Sequence, residues 1–222
     1  MAALPPQGKI AFPTGPRPAW TLLGPAPAAV VGLAIFTSVF RLGGASAIQM
    51  DLGLSGAGFL VTAILTYVIA AAVAFPLGYL LSSRALTAVS VSAVVVMFLG
   101  LLLVALGGGS GMLLVGRVLG GLGTGAAAGA TVALLPAMNQ ARGIATAAVA
   151  VPGFLALVIA PVVCGLISDS VSFRVAYLVG VPFLFFALLA AAGVGIASSV
   201  SAKRPAPPAY GAIPRQAPGF HP

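Results

Sequence analysis

The sequence has 222 residues, of which 60% are hydrophobic and only 5% are charged, and its mean hydropathy is +1.18. Soluble domains carry about 25% charged residues, so this composition excludes a water-soluble globular domain and indicates a polytopic membrane protein. The net charge is +8, but the basic residues are scattered singly with no interleaved aromatic residues, so the sequence does not predict nucleic-acid binding.

Both ends of the chain are proline-rich and differ from the apolar middle. Residues 1–24 contain no apolar run typical of a signal peptide, and they are predicted to form a disordered cytoplasmic arm. Residues 198–222 are predicted to form a disordered, basic cytoplasmic tail. The transmembrane domain is therefore predicted over residues 25–197.

Six apolar segments in this domain are each long enough to cross a bilayer. The predicted spans are residues 25–47, 56–81, 86–106, 111–136, 143–167 and 174–197. Each must be helical in hydrocarbon, because no water is there to satisfy its peptide groups. A tight turn is predicted at residues 82–85 and a polar loop at residues 138–142.

An even number of spans places both termini on the same side of the membrane. Most of the basic residues fall on that side, and both aspartates fall on the other. The basic residues on the side of the termini are Lys9, Arg17, Arg84, Arg142, Lys203, Arg204 and Arg215. Because cytoplasmic loops carry an excess of Lys and Arg, the sequence predicts a plasma or inner membrane protein with both termini in the cytoplasm.

The fourth predicted span contains a dense series of glycines. Gly116 and Gly120 are four residues apart, as are Gly121 and Gly125. Residues at this spacing share one helix face, and small residues there allow a second helix to approach closely. We therefore predict that these glycines form close helix contacts. The same span holds Arg117, and a charge inside a span usually faces protein or a wet cavity.

Four stretches stand in the order and spacing of a known membrane-protein family. They are LGLSGAGFLVTAILTYVIAAAV (52–73), GRVLGGLGTGAAAGA (116–130), the Arg142-Gly143 pair and FRVAYLVGVPFLFFALL (173–189). Together they resemble the N-terminal half of a major facilitator superfamily transporter, nearest to the drug/proton antiporter type. The resemblance implies an all-α membrane protein with six transmembrane helices, built from two inverted three-helix repeats.

Two motifs depart from the family pattern. In the loop after the second span, GYLLSSRALT (78–87), Ser82 stands where the family has an aspartate, and the following basic residues are missing. The fifth-span motif Gly-Pro-x-x-Gly-Gly reads APVVCG (160–165), which keeps Pro161 and Gly165. These two residues are predicted to bend and pack the fifth helix.

The resemblance also implies candidate residues for a translocation pathway. Helices one and four line the cavity in the family, and Arg117 matches its fourth-helix arginine, implicated in proton or substrate handling. The candidates are therefore Thr37, Arg41, Arg117 and Thr124. A purely structural role remains open for both arginines, since their side chains can snorkel to the membrane surface. Arginines in a cavity favour an anionic solute or a carboxylate partner.

The sequence lacks the residues that a serine protease or a metal site would need. Ser55 and Ser110 lie in Gly-x-Ser-Gly patterns that resemble rhomboid proteases, but a serine nucleophile needs a base and the one histidine is His221 in the tail. One cysteine, one histidine and two distant aspartates predict no metal site. The sequence predicts no enzyme and no cofactor. A titrating group for proton coupling would have to come from a partner.

Two functions remain open. In the first, the chain is one half of a small-molecule transporter that works as a homodimer or with a second six-helix subunit. In the second, it is a non-transporting structural membrane subunit or a truncated transporter remnant. The retained Arg117 and its glycines favour the first, and the altered loop at Ser82 favours the second. The sequence identifies neither the solute nor the coupling ion.

Overall fold

The computed structural model describes residues 18–40 and 46–202, without the side chains of residues 139–141 and 202. These residues form helices joined by short turns, and the described part of the chain contains no strand. The helices are α1 (Pro25–Thr37), α2 (Ala47–Asp51), α3 (Gly56–Phe59), α4 (Thr66–Leu106), α5 (Ser110–Leu134), α6 (Arg142–Ser170), α7 (Phe173–Leu178) and α8 (Gly180–Ala202). A π-helical turn, Leu60–Leu65, joins α3 to α4, and 3₁₀ turns occupy Ala19–Leu23 and Leu135–Ala141.

Local sequence signals explain several helix starts. Pro25 is the first residue of α1, where its missing N–H is not needed. The hydroxyl of Ser55 caps α3 by accepting a hydrogen bond from the Gly58 amide at 3.1 Å. Ser172 caps α7 in the same way, accepting from the Val175 amide at 3.3 Å.

Five helical stretches in the described residues are long and apolar enough to cross a membrane. They are Ala19–Thr37, Gly56–Leu106, Ser110–Met138, Arg142–Ser170 and Phe173–Ser201. This confirms the coarse prediction of an all-α, multi-pass membrane protein. A single stretch, Gly56–Leu106, covers two of the predicted spans, because it holds two helices that meet at Ala85, where the backbone leaves helical geometry with φ −144° and ψ 57°. This break lies in the turn predicted at residues 82–85.

The chain reverses its direction at Ala85. We call residues 56–84 the first arm and residues 86–106 the second arm. In the first arm, the carbonyls of Tyr67, Ala71 and Phe75 lie against Gly121, Gly125 and Gly129 of α5, so the two segments run parallel. In the second arm, Ala93 lies against Gly123 and Gly100 against Gly116, so these two segments run antiparallel. The two arms therefore run antiparallel to each other.

Several predicted boundaries were wrong. The first span was predicted over residues 25–47, but α1 ends at Thr37 and Ala47 begins a separate short helix. The hydroxyls of Thr37 and Ser38 bond back to carbonyls of the last turn, which helps the helix to end. Part of the predicted disordered N-terminal segment is ordered. Ala19–Leu23 form a 3₁₀ turn in which Thr21 and Leu22 are buried.

The later boundaries also shift. The polar loop predicted at residues 138–142 is a 3₁₀ turn, Leu135–Ala141, that leads directly into α6. The last helix continues to Ala202, five residues beyond the predicted end of the domain at residue 197. In both places short-range helical hydrogen bonds satisfy the backbone where a loop was predicted.

Candidate functional site: a buried arginine between four helical segments

Arg117 of α5 is 1% exposed, and its guanidinium donates hydrogen bonds to three other helical segments. Nε donates to the Ala63 carbonyl at 2.7 Å, and Nη1 donates to the Ile35 carbonyl at 3.1 Å. Nη1 also lies 3.3 Å from the Tyr177 hydroxyl, and Nη2 donates to the Phe36 carbonyl at 3.3 Å. One side chain thus connects α5 to α1, to the first arm and to α7.

The carbonyls around Arg117 belong to irregular or terminal backbone. Ile35 and Phe36 lie in the last turn of α1, where carbonyls lack intrahelical donors. That end also carries the negative pole of the helix dipole, which favours a cation. Ala63 lies inside the π-helical turn of the first arm, and such turns occur frequently at functional sites. The guanidinium therefore caps one helix and binds an irregular turn of another.

Two aromatic rings complete the surroundings of the guanidinium. Its central carbon lies 4.3 Å from the ring centroid of Tyr67 and 5.9 Å from that of Phe36. The two rings also contact each other, with their centroids 5.2 Å apart. A cation over a desolvated ring gains about 2 kcal/mol. Arg117 is thus held without a carboxylate among the contacts seen here.

A second polar cluster lies about two helical turns further along α5, at Thr124. The Tyr67 hydroxyl donates to the Gly32 carbonyl of α1 at 2.7 Å and lies 2.5 Å from the Thr124 hydroxyl. Thr124 also lies within hydrogen-bond distance of the Gly120 carbonyl, at 2.8 Å, and of the Met97 sulfur, at 3.3 Å. This cluster joins α1, both arms and α5, and α1 approaches α5 so closely that a Cβ on Gly32 would overlap Thr124.

The structure brings together two of the four predicted pathway residues. Arg117 and Thr124 share the α5 face that contacts α1 and Tyr67. Thr37 is buried at the end of α1, and its hydroxyl donates to the Leu33 and Ala34 carbonyls of its own helix. Arg41 lies outside the described residues. A role of these residues in translocation stays a prediction.

The glycines of α5 lie directly against the backbone or rings of their neighbours. A Cβ on Gly116 would overlap Val104 and the Gly100 carbonyl, and one on Gly120 would press on the Tyr67 ring. Gly121 and Gly125 lie against backbone carbonyls of the first arm. A side chain at any of these positions would have to push a helix away.

Pro161 and Gly165, which were predicted to bend and pack the fifth span, both lie in α6. The helix α6 runs unbroken from Arg142 to Ser170 through both Pro152 and Pro161. A Cβ on Gly165 would meet no atom within 4 Å, so this glycine makes no close helix contact. The helix packs mainly on α1, and Ala145 is the one buried residue among those described in α6.

The sequence analysis missed the five residues that contact the Arg117 guanidinium: Ile35, Phe36, Ala63, Tyr67 and Tyr177. Tyr67 and Tyr177 carried a usable signal, because a tyrosine inside an apolar span must find a partner for its hydroxyl. Ala63 carried none, since it contributes only a backbone carbonyl that any residue could supply. Within the described residues, no three His, Cys, Asp or Glu side chains lie close enough to hold a metal ion.

The fold and this site define an all-α, multi-pass membrane protein whose central charge is satisfied by backbone carbonyls and tyrosine. No protein-family model, no curated protein and no solved structure matches this chain. The resemblance to major facilitator transporters therefore rests on the four sequence stretches alone.

Proposed function

We propose that the chain is a six-span half of a major facilitator-type transporter, and that it moves a small molecule only when assembled as a dimer or with a second half. The observation that carries the proposal is a twofold correspondence in the helix contacts. It relates α1, the first arm and the second arm to α5, α6 and α8.

The correspondence appears in which segments touch. The helices α1 and α5 pack on each other. In addition, α1 packs on α6 and α8, and α5 packs on the first and second arms. Exchanging α1 with α5, the first arm with α6, and the second arm with α8 maps each of these contacts onto another. The contact between the second arm and α8 maps onto itself, as at Thr87 and Gly195, whereas the smaller contact of α1 with the first arm, at Gly32 and Tyr67, has no counterpart of similar size between α5 and α6.

The segment directions support six crossings in alternating sense. The helix α1 runs antiparallel to α5 and α8 and parallel to α6. The contacts that set these directions are Gly32–Thr124, Ile35–Arg117, Gly24–Val194, Ile35–Gly180, Leu33–Gly153 and the shared cluster of Ala26 with Ala145. With the reversal at Ala85, this order agrees with two inverted three-helix repeats, as in one half of a major facilitator transporter.

The buried arginine favours a second function, a non-transporting structural subunit. Arg117 is 1% exposed and its donors are bound to backbone and tyrosine. In this state its donors tether three neighbouring helical segments to α5. A transporter would have to open this cluster during its cycle, whereas a structural subunit would keep it closed.

A flux assay separates the two functions. The purified chain is placed in liposomes that contain a pH-sensitive dye, and ethidium, tetraphenylphosphonium and carboxyfluorescein are added outside in turn. A transporter that needs two copies should give dye or proton flux above that of empty liposomes, rising more steeply than linearly with protein density. A folded, self-associated protein that passes none of the three probes would favour the structural subunit.

The orientation is part of the proposal, with both termini in the cytoplasm of a cell expressing the protein. Its support is the distribution of Lys and Arg along the sequence. A reporter that is active only outside the cytoplasm, fused after Pro222, should stay inactive. The same reporter inserted after Gly109, at the turn before α5, should be active, and the reverse pattern would overturn the orientation.

A further inference from the structure

An apolar groove lies between α6 and α8, with α1 as its floor. Its volume is about 380 Å³, within the range of small-molecule sites. The walls include Val31, Ala34, Leu101, Ile159, Val163 and Phe183. The helix α6 packs on α1 and α7 but hardly touches α8, so the groove opens sideways between two membrane-spanning helices.

The few polar groups along the groove already have partners. The Ser38 hydroxyl donates to the Ile35 carbonyl at 2.8 Å, and the Tyr177 hydroxyl accepts from Arg117. A stable water needs two to four polar partners, and these walls offer no set of free ones. An apolar occupant therefore fits the groove better than water does.

The groove also matches one leaflet of a bilayer in length. Along α6 it extends from Leu155 to Cys164, which is about 14 Å by helical rise. This is roughly half of the ~30 Å hydrocarbon core. Its Ser38 and Cys164 end lies toward the polar pocket that contains Ser168 and Asp169, so one end points to the membrane surface.

We propose that this groove binds one acyl chain of a bilayer phospholipid, entering sideways between α6 and α8. The groove is continuous with the lipid-facing surface, its polar groups are satisfied, and its length fits a single leaflet. The lipid fills space that no side chain of the described residues occupies. A second copy of the chain inserting a helix, and an empty groove, are the competing outcomes.

Native mass spectrometry tests the proposal. The full chain is released from nanodiscs of palmitoyl-oleoyl phosphatidylethanolamine and phosphatidylglycerol, and the wild type should retain one phospholipid. Ala160→Phe places a ring in the groove and should lose that lipid. Ala150→Phe adds the same ring at an exposed position of α6 outside the groove and should keep it. Equal retention by both variants, or a lipid-free wild-type monomer or dimer, overturns the proposal.

A second measurement does not depend on a filled groove. In a Trp20→Phe background, Phe183→Trp places a fluorophore on the groove wall, and Phe186→Trp places one on an exposed face outside it. Both proteins are reconstituted in phosphatidylcholine with brominated acyl chains and then extracted into lipid-free detergent. Retained lipid should quench the tryptophan at 183 and spare the one at 186. An unquenched tryptophan at 183 overturns the proposal.

Discussion

The two sides of this bundle are packed in different ways. On one side, the first arm lies against α5 with glycines touching backbone, and we call this the closed side. On the other, α6 lies against α1 through side chains, and the groove remains open beside it; we call this the open side. Gly153 is the α6 glycine nearest to α1, and a Cβ added to it would lie 3.9 Å from the side chain of Leu33.

This difference shows what holds transmembrane helices together in a lipid that is as apolar as their side chains. Without a hydrophobic driving force between helices, close backbone approach supplies the dispersion contacts. Glycines at every fourth residue of α5 allow this approach along the whole of the first arm. The glycines of α6 make no such close contact, and this helix hardly touches α8, so a groove that the membrane can fill remains beside it.

Removing the arginine that joins the two sides should have the largest effect. Arg117→Ala leaves the Ala63 and Phe36 carbonyls without this donor, at a cost of about 1–3 kcal/mol for each buried group left unsatisfied, while the Ile35 carbonyl still accepts from Ser38. The thermal unfolding midpoint in detergent should fall sharply. Arg84→Ala, at an exposed arginine, should change the stability by less than about 0.5 kcal/mol. An equal midpoint for the two variants would contradict the tethering role.

Alanine at one glycine on each side should shift stability in opposite directions. A Cβ on Gly125 would overlap the backbone of Ala71, so Gly125→Ala should destabilise by about 1–3 kcal/mol through overpacking. A Cβ on Gly165 meets open space, so Gly165→Ala should stabilise by up to about 1 kcal/mol through helix propensity. Thermal denaturation in one detergent measures both. Stability shifts of the same sign in the two variants would contradict the proposed difference in packing between the closed side and the open side.

Removing a single hydroxyl from the closed side should have a moderate effect. Tyr67→Phe deletes the link between the Gly32 carbonyl and Thr124, and we expect a loss of about 1 kcal/mol. Tyr79→Phe changes an exposed tyrosine of the same arm and serves as the control, with no measurable loss expected. If both variants unfold at the temperature of the wild type, the hydroxyl cluster does not hold the closed side together.

The smallest effect is expected at the polar end of the open side. Asp51 and Arg174 form an exposed ion pair with an N···O distance of 3.8 Å. Exposed pairs contribute about 0–1 kcal/mol, so Asp51→Asn should lower stability by less than about 0.5 kcal/mol at physiological salt. A larger loss in a salt-dependent melting experiment would mean that this end is ordered by charge.

The sequence allowed much of the architecture to be predicted, because apolar length in a bilayer leaves the chain little choice but helix. It also pointed to the α5 glycines and to Arg117. It misplaced the end of α1, since an apolar sequence carries weak signals for where a helix stops inside or beside the membrane. The turn that it predicted at residues 82–85 coincides with the reversal at Ala85. It also gave no sign of Ala63, whose contribution is a backbone carbonyl.

The sequence by itself determined that this is an all-α, multi-pass membrane protein, because so few charged residues and such long apolar segments have no other stable solution. Only the tertiary structure decided where Arg117 finds its partners and which side of the bundle stays open. Those outcomes depend on which faces of different helices meet. Spacing along one helix defines a face, but the neighbour that covers it is selected by the packing of the whole bundle.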